Sequence, residues 1–225
     1  MNKVYEKYFH RQIDLWGMET QKKLISKKVA IIGCGGLGCS IGISLGASGI
    51  GEFHLVDFDT VDTHNIHRQI AFKEGDEDRF KAHVLSELIE DRCSFTRATP
   101  HHCNFEIFSQ KDISLDLIID ATDNLQTRSQ IDKFAKEKNI PWIYGSVEEF
   151  NGQVCFFEKS NFNSFKITDK IPKGITAPMV MNIASLESNL ALRYLADLEV
   201  AKDTLYYIHF NLKGELITQK FKMPT

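Results

Sequence analysis

The chain has 225 residues, a formal net charge of −3, 43% hydrophobic residues and 25% charged residues. That is enough length for one substantial core in an ordinary globular composition, with no basic footprint for nucleic acid and no apolar run near the ~20 residues of a membrane-spanning helix. Five cysteines, Cys34, Cys39, Cys93, Cys103 and Cys155, form no C-x-x-C pair, which argues against a disulfide framework and a four-cysteine zinc site. The polar start, Met1 to Lys7, does not read as a signal peptide, so a cytoplasmic location is expected.

Tyr5 to Ser26 places Phe9, Ile13, Trp16, Met18 and Leu24 between charged residues, which predicts one or two amphipathic helices. Lys28 to Ile32 is an apolar run of the kind found in a parallel strand buried on both faces. It ends in Gly33-Cys34-Gly35-Gly36-Leu37-Gly38, a G-x-G-x-x-G turn, with a helix predicted over Leu37 to Ala47. The next apolar run, Phe53 to Val56, ends at Asp57, 19 residues after Gly38. That is close to the ~20 residues expected for a carboxylate that holds a ribose hydroxyl. Strand, glycine turn, helix and acid together predict a nucleotide-binding, doubly wound unit.

A polar stretch rich in carboxylates, Phe58 to Gln69, follows at the carboxyl end of the second strand, where open α/β sheets bind ligands. Asp76-Glu77-Asp78 leads into an amphipathic helix over Arg79 to Ile89. A third strand is predicted over Ser94 to Ala98 and a fourth over Leu115 to Thr122, with a helix from Asp123-Asn124 to about Lys138. Asp123 is therefore expected at a strand's carboxyl end, beside the glycine turn. Pro141 to Val147 and Gly152 to Phe157 read as a hairpin turning near Asn151-Gly152. Ser160 to Pro178 reads as a long functional loop, Met179 to Leu198 as an apolar helix interrupted by Glu187 and Asn189, and Leu205 to Met223 as a final hairpin. The expected fold is α/β: a doubly wound, Rossmann-like, mostly parallel sheet with antiparallel extension strands at the C-terminal side. One domain spans 1–225, with N-terminal helices over 5–28, the nucleotide-binding part over 28–140, and the extension, crossover loop, helix and hairpin over 141–225.

A dehydrogenase needs the glycine turn and Asp57 and little else. This chain adds a carboxylate suited to Mg²⁺ (Asp123), a guanidinium (Arg68), an ammonium (Lys81) and a second arginine (Arg11). Those are the groups that stabilise charge on a phosphoryl centre and a departing pyrophosphate.

With those residues in place the chain resembles the ThiF/MoeB/HesA adenylyltransferases, relatives of the adenylation domains of ubiquitin-activating enzymes. The matching pieces are Arg11-Gln12-Ile13 with Leu15-Trp16-Gly17, the Gly33–Gly38 turn, Asp57 to Val61 with Asn65 and Arg68-Gln69, Lys81, and Asp120 to Asn124 with Thr127-Arg128. The resemblance implies ATP- and Mg²⁺-dependent adenylation of the C-terminal glycine carboxylate of a small ubiquitin-like sulfur carrier ending in Gly-Gly, releasing pyrophosphate. It implies that Gly33, Gly35, Gly36 and Gly38 form the nucleotide turn, with Gly35 and Gly38 at the phosphates. It implies that Asp57 and Asp59 serve the ribose and the metal neighbourhood, that Asn65, Arg68 and Lys81 contact phosphates, and that Asp123 holds Mg²⁺. Arg11 would act in the site of the neighbouring subunit of a homodimer. Asp62, His64 and His67 are read as polar loop residues, and Thr127 and Arg128 as fixing the helix after Asp123. The chain departs from the pattern in having no zinc-binding pair and no cysteine after Cys155. Adenylation alone, with an external sulfur donor, is therefore expected. A ThiS-like thiamine carrier is the preferred partner. A MoaD-type carrier, the tRNA-modifying dehydratase branch and a non-catalytic partner subunit are the alternatives.

Overall fold

The computed structural model describes residues 3–164 and 174–225. Eight strands form one sheet in the order β3-β2-β1-β4-β5-β6-β7-β8. They are β1 (Lys28–Ile32), β2 (Glu52–Val56), β3 (Arg97–His101), β4 (Leu117–Asp120), β5 (Trp142–Glu148), β6 (Asn151–Phe157), β7 (Thr204–Phe210) and β8 (Leu216–Lys222). The first five run parallel, and β6, β7 and β8 continue antiparallel. The expected α/β class and its antiparallel extension are both present.

Six α-helices accompany the sheet among the described residues: α1 (Lys3–Lys23), α2 (Gly36–Leu45), α3 (Lys81–Arg92), α4 (Phe105–Ser109), α5 (Leu125–Lys138) and α6 (Ala177–Leu195). On one face, Ile41 and Leu45 of α2, Leu85 and Ile89 of α3 and Ile183 of α6 pack on Val29, Ile31 and Ile143. On the other, Phe105 and Phe108 of α4 and Ile131 and Ala135 of α5 pack on Ala30, Ile32 and Trp142. Burial from both sides is why the central strands are continuously apolar and do not alternate.

Packing overrides a short-range signal at several places. The acids Asp76-Glu77-Asp78 do not start α3: Asp76 is buried and accepts the Lys73 N–H at 3.1 Å, closing a single 3₁₀ turn, and the helix begins at Lys81. β3 lies three residues later than expected, because Thr96 turns inward and donates its hydroxyl to the Ile50 carbonyl at 2.9 Å. The first hairpin turns at Glu149-Phe150 and not at Asn151-Gly152, which lie within β6. Gly152 serves packing, since a Cβ there would collide with Ile183 of α6. The short helix α4, capped by Asn104, has no counterpart among the elements expected from the sequence. α1 is broken at Gly17 (φ 84°), so the one or two helices expected there are two pieces. Of the long loop expected over Ser160 to Pro178, residues 165–173 lie outside the described residues, while Phe162–Ser164 forms a 3₁₀ turn and α6 already begins at Ala177.

Candidate active site

The chain crosses from one side of the sheet to the other at β1, with β2 on one flank and β4 on the other, and in doubly wound sheets ligands bind at such a switch point, outside the carboxyl ends of the strands. The glycine turn leaves β1 there. Gly33 has φ 94° and lies against the Ala121 backbone just beyond β4, so a Cβ would sit 2.6 Å from the Ala121 carbonyl oxygen. Gly38 is also demanded by packing, because a Cβ would overlap the Gly33 carbonyl. Gly36 lies under Val180 of α6, where a Cβ would come within 3.0 Å. Gly35 differs: its open side meets only the Gln69 Nε2, at 3.6 Å. The first-turn N–H groups of α2 lack intrahelical acceptors and carry the positive end of the helix dipole, a combination that favours a phosphate.

Asp57, at the end of β2, accepts the Cys34 N–H at 2.6 Å and the Asp59 N–H at 2.8 Å. Its carboxylate is thus built into the turn as well as facing the ligand side, a support the sequence did not reveal. Burial pushes its pKa above the ordinary carboxylate value, while the two N–H bonds oppose the rise. Asp59 pairs with the Lys81 ammonium at 3.0 Å, and Lys81 is buried at the first position of α3. Arg68 donates to Asn65 Oδ1 at 2.7 Å and lies 3.0 Å from His67 Nε2. Asn65 with Arg68, and Asp59 with Lys81, therefore form two polar pairs over the segment from β2 to the first residue of α3. His67, read from the sequence as a loop residue only, orients Arg68. Asp62 accepts the His64 N–H at 3.0 Å and caps a 3₁₀ turn, in keeping with its structural reading.

Across the crevice, Asp120 ends β4 fully buried. Arg128 of α5 donates Nε to Asp120 at 3.0 Å and Nη2 to the carbonyls of Thr122 at 2.6 Å and Gly145 at 3.1 Å. One guanidinium thus ties the end of β4 to the middle of β5 and holds the loop that carries Asp123. Asn124 caps α5 by accepting the Thr127 N–H at 2.7 Å. Asp123 itself is exposed at the mouth of the crevice. Among the described residues no group of three or more His, Cys, Asp or Glu gathers as a metal cage. A single outward carboxylate beside a phosphate cradle suits Mg²⁺, which takes one or two protein carboxylates together with substrate phosphates and water.

Arg11 is not drawn into this constellation by hydrogen bonds. It is exposed on α1, and the helical spacing puts it on one face with Val4, Tyr8 and Leu15, all exposed.

The ThiF family pattern matches residues 9–225. A curated relative named molybdopterin-synthase adenylyltransferase from Haemophilus influenzae is 28% identical over 206 residues, covering 82% of each chain. One named adenylyltransferase and sulfurtransferase MOCS3 from Caenorhabditis briggsae is 29% identical over 201 residues, 83% of this chain and 50% of that protein. The chain thus spans about half the length of this larger relative. In three dimensions it is similar to PaaA (TM-score 0.85, 19% identity, 99% of this chain and 75% of that one). It is equally similar to Escherichia coli MccB in a crystal structure with MccA-N7isoASN (TM-score 0.85, 19% identity, 97% and 72%). With the match extending from α1 through the glycine turn to the last strand, the chain belongs to the ThiF family.

Proposed function

We propose that the chain is an ATP-dependent adenylyltransferase acting on the C-terminal glycine carboxylate of a small ubiquitin-like sulfur carrier. The observation that carries this reading is the arrangement at the β1–β4 crevice: an open glycine turn at a helix N-terminus, with Arg68 and Lys81 on the segment after β2 and an exposed Asp123 just beyond β4. A carboxylate oxygen of the carrier attacks the α-phosphorus of ATP, the bond to the bridging oxygen breaks, and pyrophosphate leaves with the electron pair. Arg68 and Lys81 meet the charge on the phosphoryl oxygens, and the α2 N-terminus meets the phosphate chain. Lys81 exchanges its Asp59 partner for phosphate, or shares it. Mg²⁺, held by Asp123, supplies further positive charge to the phosphates when bound.

The carrier reading follows the relatives' names. The Haemophilus relative is a molybdopterin-synthase adenylyltransferase, which favours a MoaD-type carrier over the thiamine carrier preferred from the sequence. The exposed α1 stripe around Arg11 supports a homodimer in which Arg11 reaches the neighbouring site. An external sulfur donor fits the cysteines: Cys34, Cys39, Cys93 and Cys155 are buried, and burial pushes the Cys39 and Cys155 thiols up to about 12. Such thiols are poor nucleophiles near neutral pH.

The test is pyrophosphate exchange into ATP with Mg²⁺, in the presence of MoaD-type and ThiS-type carriers ending in Gly-Gly. Exchange that depends on a MoaD-type carrier supports the full reading. Exchange with the ThiS-type carrier alone keeps the chemistry and reverses the pathway. No exchange with either, from protein shown to bind ATP, refutes adenylation of such carriers.

A further inference from the structure

α6 is an apolar helix laid over α2 and the β5–β6 hairpin, yet Glu187 sits at its centre with 0% exposure. Neither carboxyl oxygen has a hydrogen-bond partner among the described residues. The carboxyl lies flat against the Cα of Gly145 on β5, so closely that a Cβ at 145 would collide with it. Only glycine leaves that room, so the strand is shaped around this side chain. The Gly145 carbonyl is one of the two that Arg128 grips, the other being Thr122, the residue before Asp123. Glu187, Gly145, Arg128 and the Asp123 loop are therefore consecutive members of one packed row.

An ionised carboxylate with no partner in such a place is strongly disfavoured, whereas the neutral acid costs far less. Arg128 is already committed to Asp120 and two carbonyls. We propose that Glu187 is a positioning residue for the Asp120–Asp123 loop: as a neutral carboxylic acid it backs Gly145 and leaves Arg128 to the loop, and when ionised it competes for Arg128 and loosens the loop. This rests on the adenylation reading only in that Asp123 is taken to face the nucleotide.

The surroundings agree. Among the described residues, the ionisable groups that act on Glu187 are Asp120 from β4 and Arg128 from α5, and Tyr144 of β5 feels its charge in turn. From α2 comes the Ser44 hydroxyl, 2.6 Å from that of Ser188, and from β6 comes Gly152 against Ile183. Two buried acids thus share one buried cation. Burial, with Asp120 adding to it and Arg128 opposing, raises the Glu187 pKa well above the ordinary carboxylate value. The folded state then binds a proton that the unfolded chain releases. Stability from this group is complete below the unfolded value of 4.5 and falls as pH rises toward the folded value, by up to about tenfold in the unfolding constant per pH unit.

The experiment compares the unmodified chain with Glu187→Gln, a neutral isostere, by three readouts. Infrared spectra near neutral pH are expected to show a protonated-carboxyl C=O stretch that the variant lacks; indistinguishable spectra overturn the proposal. The unfolding constant of the unmodified chain is expected to rise relative to the variant as pH is raised from 5 to 9; a constant ratio overturns it. Amide hydrogen exchange at Thr122 and Asp123, corrected for intrinsic rates, is expected to accelerate with alkaline pH in the unmodified chain and not in Glu187→Gln. Equal protection in both chains at every pH reduces Glu187 to a structural acid and overturns its positioning role. None of these readouts needs turnover, so a failed pyrophosphate exchange refutes the adenylation reading and leaves this proposal standing or falling on its own measurements.

Discussion

Replacing Arg128 with Met is expected to destabilise the fold by about 3–5 kcal/mol at neutral pH, the usual cost of removing one partner from a buried ion pair. The side chain is 7% exposed and its partner Asp120 fully buried, so little water can substitute. Met keeps the length and apolar volume of the stem, which limits any cavity contribution. What is lost is the 3.0 Å bond to Asp120 and the donors to Thr122 and Gly145. Asp120 retains the Thr122 N–H at 3.0 Å and the Thr122 hydroxyl at 2.6 Å, so its charge is only partly compensated. A domain of this kind has about 5–15 kcal/mol in total, so the variant folds but is marginal. At ~2–4 °C per kcal/mol for a chain of this length, the melting midpoint drops by roughly 6–20 °C. Urea unfolding followed by the fluorescence of buried Trp142 measures the loss directly. Burial already holds the Asp120 pKa above its ordinary value, and without Arg128 it rises further. The folded variant then binds a proton that the unfolded chain lacks, so the deficit shrinks as pH falls below neutral. Adding Asp120→Asn removes the unpaired charge and recovers a large part of the loss. A loss under ~1 kcal/mol at pH 7, unchanged by pH, would refute the buried-pair argument.

Three further expectations follow from the site and one from the β2–β3 histidine pair. Asp123→Ala abolishes Mg²⁺-dependent pyrophosphate exchange with the melting midpoint essentially unchanged, since Asp123 is exposed; normal exchange removes it from the metal site. Mixing Arg11→Ala with Asp123→Ala chains restores part of the activity in mixed dimers, and inactive mixed dimers of verified composition count against Arg11 acting across the interface. Gly35→Ala lowers ATP affinity about tenfold or more with near-normal stability, whereas Gly38→Ala costs at least ~1–3 kcal/mol because its Cβ overlaps the Gly33 carbonyl; calorimetry and denaturation separate the two. His101, edge-on to Phe108 and 3.0 Å from His54, has its pKa lowered by burial to about 4. The unfolded chain then binds the proton first, so stability is lost as pH falls from 6.5 toward 4; His101→Gln flattens the pH slope in that window, and an unaltered slope contradicts the assignment.

The parts legible from the amino-acid sequence were those whose cause is local. The Val-Ala-Ile-Ile run, the G-x-G-x-x-G turn and the acid 19 residues later each follow from a strand, a tight turn and a second strand placed close together in the chain. Asp123 was legible for the same reason, as the residue just beyond an apolar strand and ahead of a capping Asn124. The sequence reads Arg128 as a support for that helix, and the structure shows the atoms through which it acts. Where the sequence misled, a residue had a long-range duty that imitated a local one. Gly152 looks like a turn glycine and is small because Ile183 lies on it; Asp76 looks like a helix-starting acid and is buried in its own 3₁₀ turn. Asp57 as a brace of the glycine turn and Glu187 pressed on Gly145 could not be read at all, because their partners lie 23 and 42 residues away. Short-range periodicity and turn chemistry determine which segments become strands and helices. Only the tertiary structure decides which buried polar groups find partners, because that depends on contacts between segments that packing alone brings together.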